Sequence, residues 1–452
     1  MTPVCMSLRG EPACHVGRVR DPPDASAGTP ARTGGDGSEG TRLMAETITL
    51  EEFRADARAF LEANCERRVE ETFVWGKGSD KVGMFEEKSK DEERRQVESA
   101  KQWRQKLFDA GFAWITGPVE FGGAGLSSAH QRAYLEEASG FRTPDESPFT
   151  IGLGMVAPTI QAHAIPEVRD RYLKALWRGE VIACQLFSEP IAGSDLAGIQ
   201  TRAARDGEEW SITGQKVWTS GAQYADIGEL ITRTDPDKPK HKGLTMFLID
   251  MKDPAIEVRP LRQMTGGASF NEVFINELRV PDSHRLGDVD EGWGVALTTL
   301  MNERMSIGTG MGSGGGSAMG SFSRLVAMAK HFGVDSDPVV RQRLADLYVH
   351  TTAARYNNLR GLAKMKAGQT PGPEMSLAKL SGTLNGLRTS ALLADLLGPR
   401  LVADTGEWGT YAWSELILGI PGARIAGGTD EVMRNILGER VLGLPKDPSH
   451  QR

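Results

Sequence analysis

Two short stretches of this chain gather hydroxyls, amides and an indole close to glycine and proline. The first runs Cys184-Gln185-Leu186-Phe187-Ser188-Glu189-Pro190-Ile191-Ala192-Gly193-Ser194-Asp195, the second Gly214-Gln215-Lys216-Val217-Trp218-Thr219-Ser220-Gly221. The first offers hydroxyls and backbone N–H groups on a loop bent by Pro190 and Gly193. The second sets Trp218 beside the hydroxyls of Thr219 and Ser220 after a β turn. Stacking from an indole, with edge bonds from hydroxyls and amides, suits a large flat heterocycle with a polar rim. Taken alone, Trp218 has a lesser alternative reading as a core aromatic at a strand's end. Its polar neighbours give the ligand reading its weight.

Other motif matches point elsewhere and fail on context. Gly310-Met311-Gly312-Ser313-Gly314-Gly315 satisfies GxGxxG, but the residues before it, Ala296 to Ile307, read as helix, whereas a dinucleotide fingerprint follows a strand. Glycines that let two helices approach closely explain it better. Ser376-Leu377-Ala378-Lys379 matches SxxK, yet it lacks the KTG and SDN companions of serine acylases and reads as an ordinary helix turn. There is no GxSxG and no GxxxxGK[ST], so hydrolase and phosphate-loop chemistry is not supported.

The elements that must position these residues follow an order of helices, strands, helices. From Leu50 to about Gly179 the apolar spacing is helical, with Phe53, Ala57, Phe60 and Leu61 and later Trp103, Leu107, Phe108 and Phe112. Thr49 and Glu52 form a capping-box pair at the first helix start. Between about Ile182 and Leu286 the pattern turns to short β-rich runs at 210–213, 244–249 and 272–276, a small barrel or sandwich. After Asp290 it is helical again, through 344–363, 377–397 and 431–441. An α+β chain is expected, with a disordered extension over 1–43, a helical domain over 44–180, a β domain over 181–290, a helical bundle over 291–445 and a tail over 446–452. The first 43 residues are rich in Gly and Pro and can bury little. They lack a secretory core and balance their arginines with acids, and Met44 is a candidate physiological start.

Composition narrows the function further. The chain has 452 residues, 53 basic and 60 acidic side chains and a net charge of −7. That balance argues against sequence-independent nucleic-acid binding. No apolar run reaches the length of a membrane span. Cys5, Cys14, Cys65 and Cys184 form no CxxC pair, and the eight histidines show no HExxH spacing, so no metal is expected. A reducing, cytoplasmic setting is the expectation.

The two opening stretches closely resemble the SEPxAGSD-like and KxWxT/S segments of the acyl-CoA dehydrogenase family. Phe270-Asn271-Glu272-Val273-Phe274, Val280-Pro281, Leu286-Gly287, Glu291-Gly292-Trp293, Gly427-Gly428-Thr429 and Arg434-Asn435-Ile436 extend the resemblance, in order, over about Leu50 to Pro445. The resemblance implies FAD as cofactor and an acyl-CoA thioester as substrate. It implies that Gln185, Phe187 and Ser188 line the flavin, that Trp218 covers it and that Thr219 and Ser220 bond its edge. Ser194 is placed near the cofactor and the CoA arm, and Thr429 and Glu431 at positions that touch FAD. It further implies an electron-transfer flavoprotein as acceptor and a homo- or hetero-oligomer, dimer or tetramer.

Two departures qualify this. Many relatives carry a catalytic Glu in Tyr-Glu-Gly-Thr, where this chain has Ala426-Gly427-Gly428-Thr429. A subset resembling the long-chain and isovaleryl enzymes places the base in a Glu-Arg dipeptide on a bundle helix, and this chain has Asn302-Glu303-Arg304-Met305. Two carboxylates in one desolvated pocket would oppose each other's ionisation, so the two changes agree. Glu303 is the expected base, with Asn302, Arg304, Gly427 and Gly428 bordering the substrate; the bland alternative is a solvated surface Glu-Arg pair. Second, Ala329 and Pro338 stand where relatives hold the FAD pyrophosphate with Arg and Gln, and Gly398-Pro399-Arg400-Leu401 replaces GGxGY. The expected reaction abstracts the α proton and passes the β hydrogen as hydride to flavin N5. The alternatives are a non-catalytic flavin-binding subunit of a hetero-oligomer, or a flavin oxidase or monooxygenase of the same fold.

Overall fold

A computed structural model describes residues 48–69, 74–80, 82, 88–308, 322–366 and 372–446, without the side chains of 304–308 and 365–366. The extension 1–43, Met44, the glycines at 310–315 and most of the C-terminal tail lie outside the described residues. The N-terminal region is helical because its helices start on good caps. Helix α1 (Leu50–Asn64) opens on the capping box: Glu52 N–H donates to Thr49 Oγ1 at 3.2 Å, and Thr49 N–H donates back to the Glu52 carboxylate at 2.9 Å. Helix α2 (Lys90–Asp109) repeats the device with Ser89 and Glu92. Phe53, Ala57 and Leu61 of α1 bury against Trp103 and Leu107 of α2 and against Tyr134 of α3 (Ser128–Ala138). A two-stranded ribbon, β1 (Glu66–Arg67) with β2 (Phe141–Arg142), links the ends of this layer. A π-helical turn over Gly152–Val156 leads into α4 (Ala157–His163), and α5 (Pro166–Arg178) ends at Gly179, whose φ of 80° stops the helix.

The middle region holds β3 (Ala183–Leu186), β4 (Arg202–Asp206), β5 (Glu209–Ser220), β6 (Ile227–Arg233), β7 (Leu244–Asp250), β8 (Ile256–Leu261), β9 (Phe270–Pro281) and β10 (Arg285–Leu286). They form two halves, β10-β7-β6-β3 and β4-β5-β9-β8, joined where β4 meets β6 at Arg202 and Arg233. Between the halves Leu230, Phe247 and Ile249 face Trp210, Ile212, Val273 and Ile275. This is the sandwich-like arrangement that the short β runs imply. The other face of the first half, with Ala183, Phe187, Ile227, Ile231 and Leu248, packs on helices.

The C-terminal region contains α6 (Gly292–Gly308), α7 (Phe322–His331), α8 (Pro338–Lys366), α9 (Ser376–Leu397), α10 (Ala412–Ile425) and α11 (Asp430–Ile436). Leu325, Met328, Leu347, Leu393, Trp413 and Leu416 form its core. Ser376-Leu377-Ala378-Lys379 is the first turn of α9, with Ser376 buried, as an ordinary helix turn requires. Helix α6 leaves this bundle to pack on β7 and α4, and it also touches α9.

Candidate active site

The loop after β3 is tied to β5 by a buried ion pair. Lys216 Nζ lies 2.9 Å from Glu189 Oε1 and also donates to the Phe187 carbonyl at 3.0 Å. The Glu189 carboxylate accepts from the backbone N–H groups of Gln200 at 2.6 Å and Thr201 at 2.9 Å, and Val217 N–H donates to the Ser188 carbonyl at 2.9 Å. Burial pulls the Lys216 ammonium down to about 8, with Glu189 opposing. For Glu189 burial pulls upward, but Lys216 and the N–H donors outweigh it and hold the carboxyl below its usual range. This pair fixes Phe187 and Ser188 beside Trp218, and sequence reasoning did not find it.

Trp218 owes its direction to a β-bulge. Lys216 pairs with Val273 and Thr219 with Asn271, so β5 carries one residue more than β9 between these points. The surplus is absorbed where Trp218 takes φ 62°, a left-handed conformation uncommon for any residue with a side chain. The indole is turned outward, 59 % exposed, and meets Phe270 edge-on at 6.0 Å between ring centroids. A strained, exposed aromatic of this size marks a binding surface. Ser220, two residues on, is half-buried. Its hydroxyl and that of Ser188 make no hydrogen bond to the described residues, and Gln185 is likewise half-buried at the β3–β6 seam.

Thr219 differs from the expectation that it bonds the edge of a ring. It is 1 % exposed, and its hydroxyl is buried with no partner among the described residues. Asn271 Nδ2 donates to its carbonyl at 3.0 Å. Strand alternation explains this: Trp218 and Ser220 share one side and Thr219 takes the other. Phe187 is also nearly buried, in the cluster beneath the helices. Ser194 is exposed, next to Asp195, whose carboxylate accepts from Lys240 Nζ at 2.8 Å.

The expected base lies on α6 and the glycine turn leads into α11, and both helices pack on α9. Glu303 is half-buried on α6, and Asn302 Nδ2 donates to the Thr298 carbonyl at 2.9 Å. The Arg304 side chain is outside the described residues. Gly427 and Gly428 have φ of 63° and 87° and make the turn into α11. Thr429 is the N-cap of α11, accepting from Val432 N–H at 3.2 Å, which gives its hydroxyl a structural task. Glu431 is exposed and lies 3.3 Å from Arg434. Between them Asp430 is fully buried and accepts from Thr383 Oγ1 at 2.7 Å and Arg424 Nε at 2.7 Å, with Lys379 Nζ at 3.4 Å. Burial raises its pKa, but these partners outweigh the burial and keep it below the usual value. Asp430 anchors the glycine turn, a role that nothing in its sequence neighbourhood announces.

The surface where relatives hold the pyrophosphate is built differently. Ala329 is fully buried, in the cluster that holds Leu325, Leu393 and Trp413. Arg400 stacks its guanidinium 4.7 Å over the Phe332 ring, and Trp75, from the N-terminal region, stacks on His331 at 5.2 Å and meets Trp408 at 5.1 Å. Trp408 Nε1 donates to the Gly78 carbonyl at 2.8 Å. An aromatic cap therefore covers Phe332-Gly333. A cavity of about 430 Å³ in the bundle, lined by Thr351, Asn358, Asn385 and Thr389, includes none of the expected site residues. Among the described residues no cluster of His, Cys, Asp and Glu could hold a metal ion, and no helix is long and apolar enough to cross a membrane.

Models of the acyl-CoA dehydrogenase N-terminal, middle and C-terminal domains match residues 47–180, 184–278 and 290–442. Acyl-CoA dehydrogenase FadE34 of Mycobacterium tuberculosis is 38 % identical over 359 residues, 78 % of this chain and 47 % of that protein. Acyl-CoA dehydrogenase IpdE1 of the same organism is 35 % identical over 408 residues, 88 % of this chain and 98 % of its own length. The chain thus spans under half of FadE34 and nearly all of IpdE1. Among solved structures, the Tcur3481-Tcur3483 steroid ACAD superposes with a TM-score of 0.67 at 26 % identity, over 89 % of this chain and 100 % of that one. The ChsE4-ChsE5 complex from Mycobacterium tuberculosis shares the fold, with a TM-score of 0.61 at 24 % identity over 89 % of this chain and 100 % of that one.

Proposed function

The chain belongs to the acyl-CoA dehydrogenase family, a family of oxidoreductases, and from that premise we propose that it dehydrogenates an acyl-CoA thioester between Cα and Cβ with FAD as cofactor and Glu303 as base. The observation that carries the reading is the outward Trp218 on its bulge, beside the hydroxyls of Ser188 and Ser220, which make no hydrogen bond to the described residues. That donor set fits a flavin: an aromatic face, two hydroxyls and the amide of Gln185. Bound there, FAD would supply the acceptor for the β hydrogen and its electron pair. Trp218 and Phe187 then exclude water from the reacting carbons.

Glu303 takes the α proton, and the C–H electron pair becomes part of the new Cα=Cβ bond. An ordinary carboxylate, with a pKa of ~4.3, is too weak a base for this in water. Its pKa must rise as the acyl chain covers it, and charge developing on the thioester oxygen must be met by a donor such as the Gly427 N–H. Gly427 keeps that N–H while removing a second carboxylate from the pocket. The missing side chain also leaves room for a bulky acyl group, and the steroid enzyme among the structural neighbours makes a ring-bearing thioester the favoured class. Re-oxidation falls to an electron-transfer flavoprotein, and the reaction belongs to a cytoplasmic lipid pathway.

One feature favours a companion chain. A buried Ala329 stands where relatives carry the pyrophosphate Arg, an aromatic cap covers Phe332, and two structural neighbours carry paired names, Tcur3481-Tcur3483 and ChsE4-ChsE5. The adenosine half of FAD is then held by a partner subunit in a hetero-oligomer. The test is to purify the chain alone and with co-expressed family members, and to mix each anaerobically with linear, branched and ring-bearing acyl-CoA thioesters. Bleaching of the flavin absorbance by ring-bearing thioesters is the expected result. Flavin-loaded protein that no thioester bleaches would overturn the reading.

A further inference from the structure

Along β6, Ile227, Glu229 and Ile231 share one face, and that face packs on helices in a cluster with Ala183, Phe187, Leu248, Val295 and Ala296. An aliphatic side chain would fill the middle position without desolvating a polar group. Glu229 is instead fully buried there. Its Oε1 lies 2.5 Å from Thr299 Oγ1 of α6, and Oε2 has no hydrogen-bond partner among the described residues. Thr299 Oγ1 is 2.9 Å from Thr159 Oγ1 of α4, and Thr159 donates to the Met155 carbonyl at 2.9 Å.

Thr299 donates to the Glu229 carboxyl, and the connected run from Glu229 through Thr299 and Thr159 to the Met155 carbonyl crosses from the β domain to α6 and on to the N-terminal helices. With Oε2 lacking a partner among the described residues and the group fully buried, a charged carboxylate would be poorly compensated there, so the carboxyl is held neutral. Glu303 lies four residues after Thr299, one turn along the same face of α6. Gln185 is the register partner of Glu229 on β3. We propose that Glu229 is a positioning residue: its neutral carboxyl clasps β6 to α6 through Thr299 and so fixes the helix bearing Glu303 against the strand that carries Gln185 and leads to Phe187. The catalytic side of this rests on the proposed reaction, whereas the protonation and the clasp do not.

The surroundings keep the carboxyl neutral. From α6 the polar groups are Thr299 and, a turn away, Asn302 and Glu303. From α4 there is His163, bonded through Nε2 to Thr298 Oγ1 at 2.8 Å and lowered by burial. Strand β3 contributes Gln185 and, on the opposite face, Cys184, pushed up to about 12 by burial. Strand β7 offers no titratable side chain before Asp250 at its end. No cation pairs with Glu229 among the described residues, and burial pushes it up to about 8 against the Thr299 bond. The unfolded carboxyl titrates near ~4.3. The folded state therefore binds a proton that the unfolded state lacks between those values. This stabilisation is full below the unfolded value and is lost as pH rises to about 8.

The test uses the full-length, FAD-loaded protein and the variants Glu229→Gln, Glu229→Leu and Thr299→Val. At neutral pH the infrared band of a protonated carboxyl should be present in the parent and absent in Glu229→Gln. The melting temperature of Glu229→Gln should gain on the parent as pH rises from about 5 to about 8, because an amide does not titrate. Glu229→Leu and Thr299→Val should slow flavin reduction by about 10- to 100-fold, with flavin content and thioester binding retained, as expected for a displaced base. Glu229→Gln, whose amide oxygen can still accept from Thr299, should lose less. An unchanged infrared band or parallel melting curves would refute the neutral carboxyl. If Glu229→Leu fails to fold, Thr299→Val decides, and a rate within twofold of the parent would refute the positioning role. If the parent binds FAD and no thioester reduces it, the proposed reaction falls, and the infrared and melting data alone decide the clasp.

Discussion

Gly427 and Lys216 show how single residues set the site's limits. The φ of 63° at Gly427 belongs to the left-handed region, where a side chain costs about 1–2 kcal/mol. Gly427→Glu should therefore lower stability by about that amount and slow flavin reduction through steric crowding and repulsion of Glu303. Thermal unfolding and stopped-flow absorbance would measure both. Lys216→Met removes one half of a buried pair, leaving Glu189 with two N–H donors but no cation. A loss of about 3–5 kcal/mol is expected, read by denaturant unfolding, together with weaker flavin retention as the Ser188 turn loosens. At this scale Trp218, Ser188 and Ser220 were legible in the sequence as candidates, since they lie in compact, distinctive strings. The inward direction of Thr219 was readable from alternation alone. Glu189 with Lys216, Glu229 with Thr299 and Asp430 with Thr383 were hidden, because their partners are 27, 70 and 47 residues away.

At the level of elements, the bulge in β5 turns a strand residue into a surface platform. Because Trp218 contributes little to the core, Trp218→Ala should change stability by no more than about 0.5 kcal/mol, while the flavin content of the purified protein falls. Equal flavin content would show that the bulge serves packing only. The capping box of α1 and the runs inside β5, β7 and β9 were legible because local rules govern them. Strand β6 was not, since Gly228 and Glu229 break the apolar run that marks a buried strand. The split of the strands into two halves and the attachment of α6 to β7 depend on contacts between distant segments, which periodicity does not encode.

For the whole molecule, the order of helices, strands and helices followed from composition and periodicity, and the acyl-CoA dehydrogenase resemblance extended it to the complete fold. The aromatic cap from Trp75 over His331 and Phe332 was invisible in sequence, since it joins regions at opposite ends of the chain. It predicts that the protein purified alone holds less than one FAD per chain and that a co-expressed companion restores full occupancy, as native mass spectrometry would show. The central claim is that Glu303 is the base for α-proton abstraction. Its most direct test is anaerobic single-turnover reduction of the FAD-loaded protein by a thioester that bleaches the parent, repeated with Glu303→Gln. Flavin content near that of the parent and a rate at least about 10²–10⁴-fold lower are expected if Glu303 is the base; a Glu303→Gln rate close to the parent's would contradict that role.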